Sequence, residues 1–106
     1  MKIRSLVHVT AAVLALGVVR AAVPVVVSQK GLQFSTDQLS VDKGSVVSFK
    51  NDDRTAHNIT VTGEDLKING GLQQPGEDFK VPFSKPGTYE VRCAIHPKMK
   101  MTITVK

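Results

Sequence analysis

The chain has few cysteine and aromatic residues. It has no tryptophan and a single cysteine, Cys93, among its 106 residues. One cysteine excludes an internal disulfide, so in an exported protein this thiol must be free, cross-linked to another molecule or bound to a metal. Sustained helical periodicity is also missing, which argues against a helical bundle.

The N-terminal residues have the pattern of a secretory signal peptide. Lys2 and Arg4 precede an apolar stretch over residues 5–19, and small residues follow at Ala21 and Ala22. This stretch is shorter than the roughly 20 residues that cross a bilayer, although a retained anchor remains the alternative. We therefore expect a signal peptide over residues 1–21, which includes His8, and one domain over residues 22–106.

The charge balance excludes a general nucleic-acid binder. The full chain carries a formal charge of +5, and loss of Lys2, Arg4 and Arg20 leaves 11 basic and 9 acidic side chains, a charge of +2. The remaining charges are interspersed, as at residues 52–54, and we expect most of them to be solvated. A domain of this size has a marginal core that a bound metal would help to stabilise.

From residue 23 onward the pattern is all-β. Short runs rich in β-branched residues end at Gly, Pro, Asn or Asp. They predict strands over residues 23–28, 32–34, 38–41, 45–50, 57–62, 78–83, 88–92 and 100–105, with residues 65–68 as a short strand or one helical turn. Eight short strands predict a β-sandwich. Alternation along the seventh strand puts Cys93 on the inward face with Tyr89 and Val91.

The segment over residues 92–101 carries the chemistry. A thiol at Cys93, an imidazole at His96 and thioethers at Met99 and Met101 lie close together in sequence. Sulfur and imidazole ligands of this kind select copper in a site of two His, one Cys and a weak axial Met. The second imidazole must be His57, because no other histidine follows the signal segment. Zinc fits this donor count less well.

Three motifs resemble the cupredoxins, the blue type 1 copper family, and among them plastocyanin and amicyanin. They are Cys-x-x-His-x-x-Met at positions 93–99, Pro-Gly-Thr-Tyr-Glu-Val at 86–91 and His-Asn at 57–58. The resemblance implies a Greek-key β-sandwich that holds one copper ion at one end through His57, Cys93, His96 and Met99. It also implies that His96 is the electron port near the surface. The amide of Asn58 would donate to the thiolate, and Asn58 would tie the two ligand loops together.

The axial ligand has two candidates. Met99 has the amicyanin spacing from His96, and Met101 has the longer spacing of plastocyanin and pseudoazurin. Seven residues follow Met99, as in the endings of plastocyanin and amicyanin, which favours Met99. Met101 shares its strand parity with Ile103 and Val105, which favours a place in the core.

We therefore expect an exported, periplasmic electron carrier that is not an enzyme. It would act with redox partner proteins, as a monomer or in transient complexes, with no nucleic acid and no membrane span in its mature form. Lys98 and Lys100 beside the port suggest an acidic docking surface on the partner. Ala94 and Ile95 replace the usual small polar residue and proline, which affects the potential and loop rigidity. The alternatives are copper delivery, an accessory subunit of a larger oxidoreductase and, least favoured, a thiol protease.

Overall fold

The structure, a computed structural model, describes residues 23–106, and the predicted signal segment lies outside them. This part of the chain forms eight β-strands and no helix. The strands are β1 (Val25–Gln29), β2 (Gln38–Val41), β3 (Ser45–Asn51), β4 (Ile59–Gly63), β5 (Leu66–Asn69), β6 (Asp78–Phe83), β7 (Gly87–Cys93) and β8 (His96–Val105). Between residues 23 and 106, no helix is long and apolar enough to cross a membrane.

The strands form two sheets. One has three strands in the order β1-β3-β6, and the other has five in the order β2-β8-β7-β4-β5. β1 pairs with β3 and β2 with β8 in parallel, and the other pairs are antiparallel. Consecutive strands therefore cross repeatedly between the sheets. The predicted all-β sandwich is confirmed.

The core lies between the two sheets and follows from the alternation of apolar residues. Both sheets contribute buried side chains, and the rings of Phe83 and Tyr89 meet edge to face with centroids 5.2 Å apart. In β7, Tyr89, Val91 and Cys93 are all buried, as the parity predicted. The buried apolar cluster consists of Val27, Val41, Val47, Phe49, Ile59, Val61, Val81, Phe83, Tyr89, Val91, Met101, Ile103 and Val105.

Three strand predictions need correction. The last strand begins at His96 rather than at residue 100, so His96 and Met99 lie in β8 and not in a loop. Residues 32–34 do not form a strand, because Gly31 and Leu32 adopt left-handed backbone angles (φ 64° and 58°) and only Phe34 makes an isolated bridge, to Gln29. The ambiguous segment at 65–68 is a strand shifted by one residue, Leu66–Asn69. It forms a hairpin with β4 through Glu64 and Asp65, whose φ values of 43° and 70° suit a tight primed turn.

The sheet order brings the predicted ligands to one end of the sandwich. β4 and β7 are neighbours, and Ile59 pairs with Cys93, so His57 lies two residues before the strand that flanks the thiol. The pairing of β7 with β8 shifts register between Arg92 and Cys93, after which Cys93 pairs with His96. A bulge of this kind re-aims side chains at the end of a strand.

Candidate metal centre

The structure brings three donor atoms from distant parts of the sequence into a small triangle. Cys93 Sγ lies 3.6 Å from His57 Nδ1 and 3.5 Å from His96 Nδ1, and the two nitrogens are 3.2 Å apart. His57, Cys93 and His96 are the one cluster of three or more His, Cys, Asp or Glu side chains within residues 23–106 whose donor atoms converge this closely. The predicted meeting of these residues is therefore observed.

These separations suit a shared metal ion. First-row divalent ions bind imidazole nitrogen at about 2.0–2.1 Å and thiolate sulfur at about 2.3 Å, so donors around a trigonal centre lie about 3.5–3.8 Å apart. The observed distances of 3.2–3.6 Å agree with this to within a few tenths of an ångström. Two imidazoles and one thiolate are the equatorial donors of a blue-copper site. The donor set fits one type 1 copper ion.

The three donors differ in their exposure to solvent. His57 and Cys93 are both 0% exposed, whereas His96 is half-buried. Exposed apolar side chains surround His96, among them Leu32 at 49% and Ile95 at 48%. These residues line a shallow cleft together with Pro97, Lys98 and Met99. Of the three donor residues, only His96 is therefore in contact with solvent, through part of its imidazole ring.

The ring of His57 is oriented by a carboxylate. Its Nε2 lies 2.8 Å from Asp53 Oδ2, and the Asp53 carboxylate also accepts hydrogen bonds from the amides of Gly31 and Leu32 at 2.6 and 3.1 Å. Burial raises the pKa of Asp53, but the hydrogen bonds from His57, Leu32 and Gly31 lower it by more, so its pKa lies below the ordinary value. An ionised carboxylate can only accept, so Nε2 carries the proton and Nδ1 presents its lone pair to the triangle.

Asp53 was not singled out from the sequence. Most of the interspersed charges, such as those at residues 52–54, were expected to be solvated, and Asp53 is an exception, because its side chain is only 13% exposed. A carboxylate four residues before a ligand histidine was the available indication. It is weak alone, because the contact depends on the course of the loop after β3.

The Asn58 backbone has the role that the resemblance implied. Its amide donates to Cys93 Sγ at 3.3 Å, and its carbonyl accepts from the amide of Ala94 at 2.9 Å, so the two ligand loops are joined through the main chain. The side chain contributes less. Asn58 Oδ1 is buried and has no hydrogen-bond partner among residues 23–106.

The two candidate axial methionines lie in different surroundings. Both are buried in β8, at 3% exposure for Met99 and 2% for Met101. Met101 belongs to the apolar core cluster, opposite Val91, whereas Met99 lies outside that cluster and lines the same cleft as His96. Met101 therefore lies in the surroundings of a core residue. Met99 lies at the end of the sandwich that holds the three donor atoms.

A sequence comparison agrees with the fold and the donor set. The sequence model of the copper-binding plastocyanin/azurin family matches residues 21–106. Relatives include amicyanin-alpha of Methylorubrum extorquens, 28% identical over 71% of this chain, and chloroplastic plastocyanin of Physcomitrium patens, 34% identical over 70%. The matched segments span 66% and 51% of those two proteins.

Solved structures show the same fold. A reduced amicyanin variant superimposes with a TM-score of 0.74 over 82% of this chain and 86% of the amicyanin, at 23% identity. A copper-containing nitrite reductase from Thermus scotoductus superimposes with a TM-score of 0.76 at 28% identity, over 82% of this chain but only 23% of the reductase. The fold and the donor set define a cupredoxin. The chain belongs to the plastocyanin/azurin family of copper-binding proteins.

Proposed function

We propose that this protein is an exported electron carrier that shuttles single electrons between redox partners through one type 1 copper ion. The observation that carries the proposal is the triangle of His57 Nδ1, Cys93 Sγ and His96 Nδ1, with two donors fully buried and the third at the surface. Copper bound there would supply a one-electron couple between its two common oxidation states.

We assign His57, Cys93 and His96 as the strong ligands and Met99 as the weak axial ligand. The buried position of Met99 outside the apolar core, beside His96, supports this choice over Met101. Asn58 donates to the sulfur and Asp53 orients His57, so the donors are held by the protein rather than by the ion. A site held in this way changes little between oxidation states, which favours rapid electron transfer.

A carrier is favoured over an enzyme by the character of the site and of its relatives. Relatives that match about 70% of this chain include an amicyanin and a plastocyanin. The nitrite reductase shares this fold over 23% of its length, so its likeness extends to one part of that enzyme. The cleft beside His96 is shallow and formed by Leu32, Ile95 and Pro97, which suits contact with a protein surface better than enclosure of a substrate.

The signal-like N-terminal pattern supports export of the protein. We propose that residues 1–21 are removed, that residues 22–106 form the mature cupredoxin domain and that the protein works in the periplasm. The family match beginning at residue 21 is compatible with this boundary. Mass spectrometry of the protein recovered from the periplasm tests the proposal, because a chain that retains residues 1–21 would contradict it.

We further propose that the redox partner docks over His96 with an acidic surface. Lys98 and Lys100 are exposed on either side of Met99, and Leu32 and Ile95 offer exposed apolar area. Such charges accelerate encounter at low salt and have little effect beyond the Debye length of about 8 Å at physiological ionic strength. A transfer rate that rises with added salt would contradict an acidic partner.

The optical and paramagnetic resonance spectra of the copper(II) protein test the carrier function. We expect an intense blue or green band from the Cys93 thiolate and reversible one-electron reduction. Cys93→Ser is the matched control, because it changes one buried atom and should abolish the band. A colourless protein that transfers copper(I) to an acceptor would overturn the proposal in favour of copper delivery. Stable co-purification with a larger oxidoreductase would instead identify an accessory subunit.

A further inference from the structure

Three buried amide side chains form a hydrogen-bonded cluster beside the main chain of His57. Gln29 and Asn51 are 0% exposed and Gln73 is 5% exposed. We refer to Gln29, Asn51 and Gln73 as the amide cluster. Buried amides are costly unless hydrogen-bonded, and apolar side chains of similar volume would fill the same space. The contacts of the amide cluster therefore indicate what it does.

Gln73 holds the main chain of His57 directly. The amide of His57 donates to the carbonyl of Gln73 at 2.9 Å, and the amide of Gln73 donates to the carbonyl of His57 at 2.7 Å. This bridge lies outside the regular strands, because β4 begins only at Ile59. The position of the buried imidazole is therefore fixed by Gln73 as well as by its own strand.

The side chain of Gln73 is in turn fully bonded. Its Nε2 donates to the carbonyls of Phe49 and Glu77, each at 2.8 Å, and its Oε1 accepts from Gln29 Nε2 at 2.8 Å. Phe49 lies in β3 and Gln29 in β1, both in the three-stranded sheet, whereas His57 leads into the five-stranded sheet. Gln73 thus connects the ligand loop, residues 52–58 with His57, to the three-stranded sheet.

Asn51 joins the other end of the ligand loop to the same cluster. Its Nδ2 donates to the carbonyls of Thr55 and Gln73 at 2.9 and 3.1 Å, and its Oδ1 accepts from the amide of Asp53 at 2.9 Å. Since Asp53 orients the His57 ring, the amide cluster fixes both the backbone of His57 and the residue that sets its ring angle.

We propose that Gln73, held by Gln29 and Asn51, is a positioning residue that keeps His57 Nδ1 within bonding reach of the metal shared with Cys93. This inference rests on the proposed ligand set. It goes beyond that set, because Gln73 is not a ligand and lies 16 positions after His57 in sequence. The amide cluster anchors His57, two residues before β4, to the three-stranded sheet through Gln29 in β1 and Asn51 in β3, so it can hold His57 in place relative to the strand that carries the thiol.

The test compares Gln73→Met with Tyr89→Phe in the full-length protein. Methionine preserves most of the volume of Gln73 and removes all three side-chain hydrogen bonds. Tyr89→Phe removes one part-buried hydrogen bond, from Tyr89 Oη to the carbonyl of Lys85 at 2.6 Å, about 13 Å along β7 from Cys93. Copper(II) affinity is measured by competition with a chelator. Amide hydrogen exchange at His57 is measured in the metal-free protein.

Loss of partners that orient a metal ligand typically weakens metal affinity by about 10–100-fold. We expect a loss in this range for Gln73→Met, together with a changed copper(II) resonance spectrum. Exchange of the His57 amide should be faster than in the unmodified protein, because local opening becomes easier. Gln29→Met, which removes only the bond to Gln73 Oε1, should cause the same changes to a smaller extent. If Gln73→Met does not fold, the affinity, the spectrum and the exchange rate are measured on Gln29→Met instead. Tyr89→Phe should leave the affinity and the spectrum unchanged.

The inference is overturned if the folded Gln73 or Gln29 variant has the affinity, spectrum and His57 exchange rate of Tyr89→Phe. Its failure is distinguishable from failure of the proposed function. In the first case the unmodified protein is blue and the variants match it. In the second case the unmodified protein lacks the blue band, while the exchange measurement on the metal-free protein still reports whether Gln73 holds His57.

Discussion

Asp53 accepts a hydrogen bond from the outer ring nitrogen of His57 at 2.8 Å, and the same carboxylate holds the amides of Gly31 and Leu32. One side chain therefore links the buried imidazole to the loop that presents Leu32 beside His96. The pairing of a metal-binding histidine with a carboxylate fixes the ring orientation and the tautomer.

We expect Asp53→Ala to lower copper affinity by about 10–100-fold, because His57 loses the partner that keeps its proton on Nε2. Asp52→Ala is the matched control. Asp52 is the neighbouring carboxylate, but it accepts from the Ser28 hydroxyl and has no bond to His57. Chelator competition measures both affinities. Equal losses in the two variants would show that the effect is one of local charge rather than of His57 orientation.

The axial ligand is tested by a pair of methionine substitutions. Met99→Gln should change the visible spectrum and lower the reduction potential, since the axial ligand tunes the potential of such sites. Met101→Leu should change neither, and as a near-isosteric core substitution it should cost less than about 1.5 kcal/mol of unfolding free energy. Voltammetry and denaturant titration measure the two effects. The reverse pattern would assign the axial position to Met101.

Copper should stabilise the fold, because it binds the folded triangle and no such triangle exists in the unfolded chain. At a free concentration 1,000 times its dissociation constant, a ligand adds about 4 kcal/mol. In a domain of this size each kcal/mol shifts Tm by about 4–8 °C, so we expect an increase of about 15–30 °C. Calorimetry of the metal-free and loaded proteins measures it. An equal increase in Cys93→Ser would argue that copper acts at another place.

The sequence was sufficient to predict the donor residues, but it did not predict the residues that hold those donors in position. Alternation along β7 predicted that Cys93 faces inward, and the short spacing in sequence indicated that His96 and Met99 lie close to the thiol. Asp53 and Gln73 carry no such local pattern. Their roles arise because distant loops meet behind His57, and a polar residue in a loop is ordinarily solvated. The failed strand at 32–34 has a similar origin, since its apolar residues follow a left-handed turn fixed by Asp53.

The order of strands in the larger sheet determines which donor is held most firmly on heating. β7 is the third of five strands, with β8 and β4 on its flanks, and the edge strands β2 and β5 have only four residues each. Fraying on heating begins at such edges and leaves the inner strands paired. Cys93, at the end of β7, therefore keeps paired strands on both sides until the sheet as a whole unfolds.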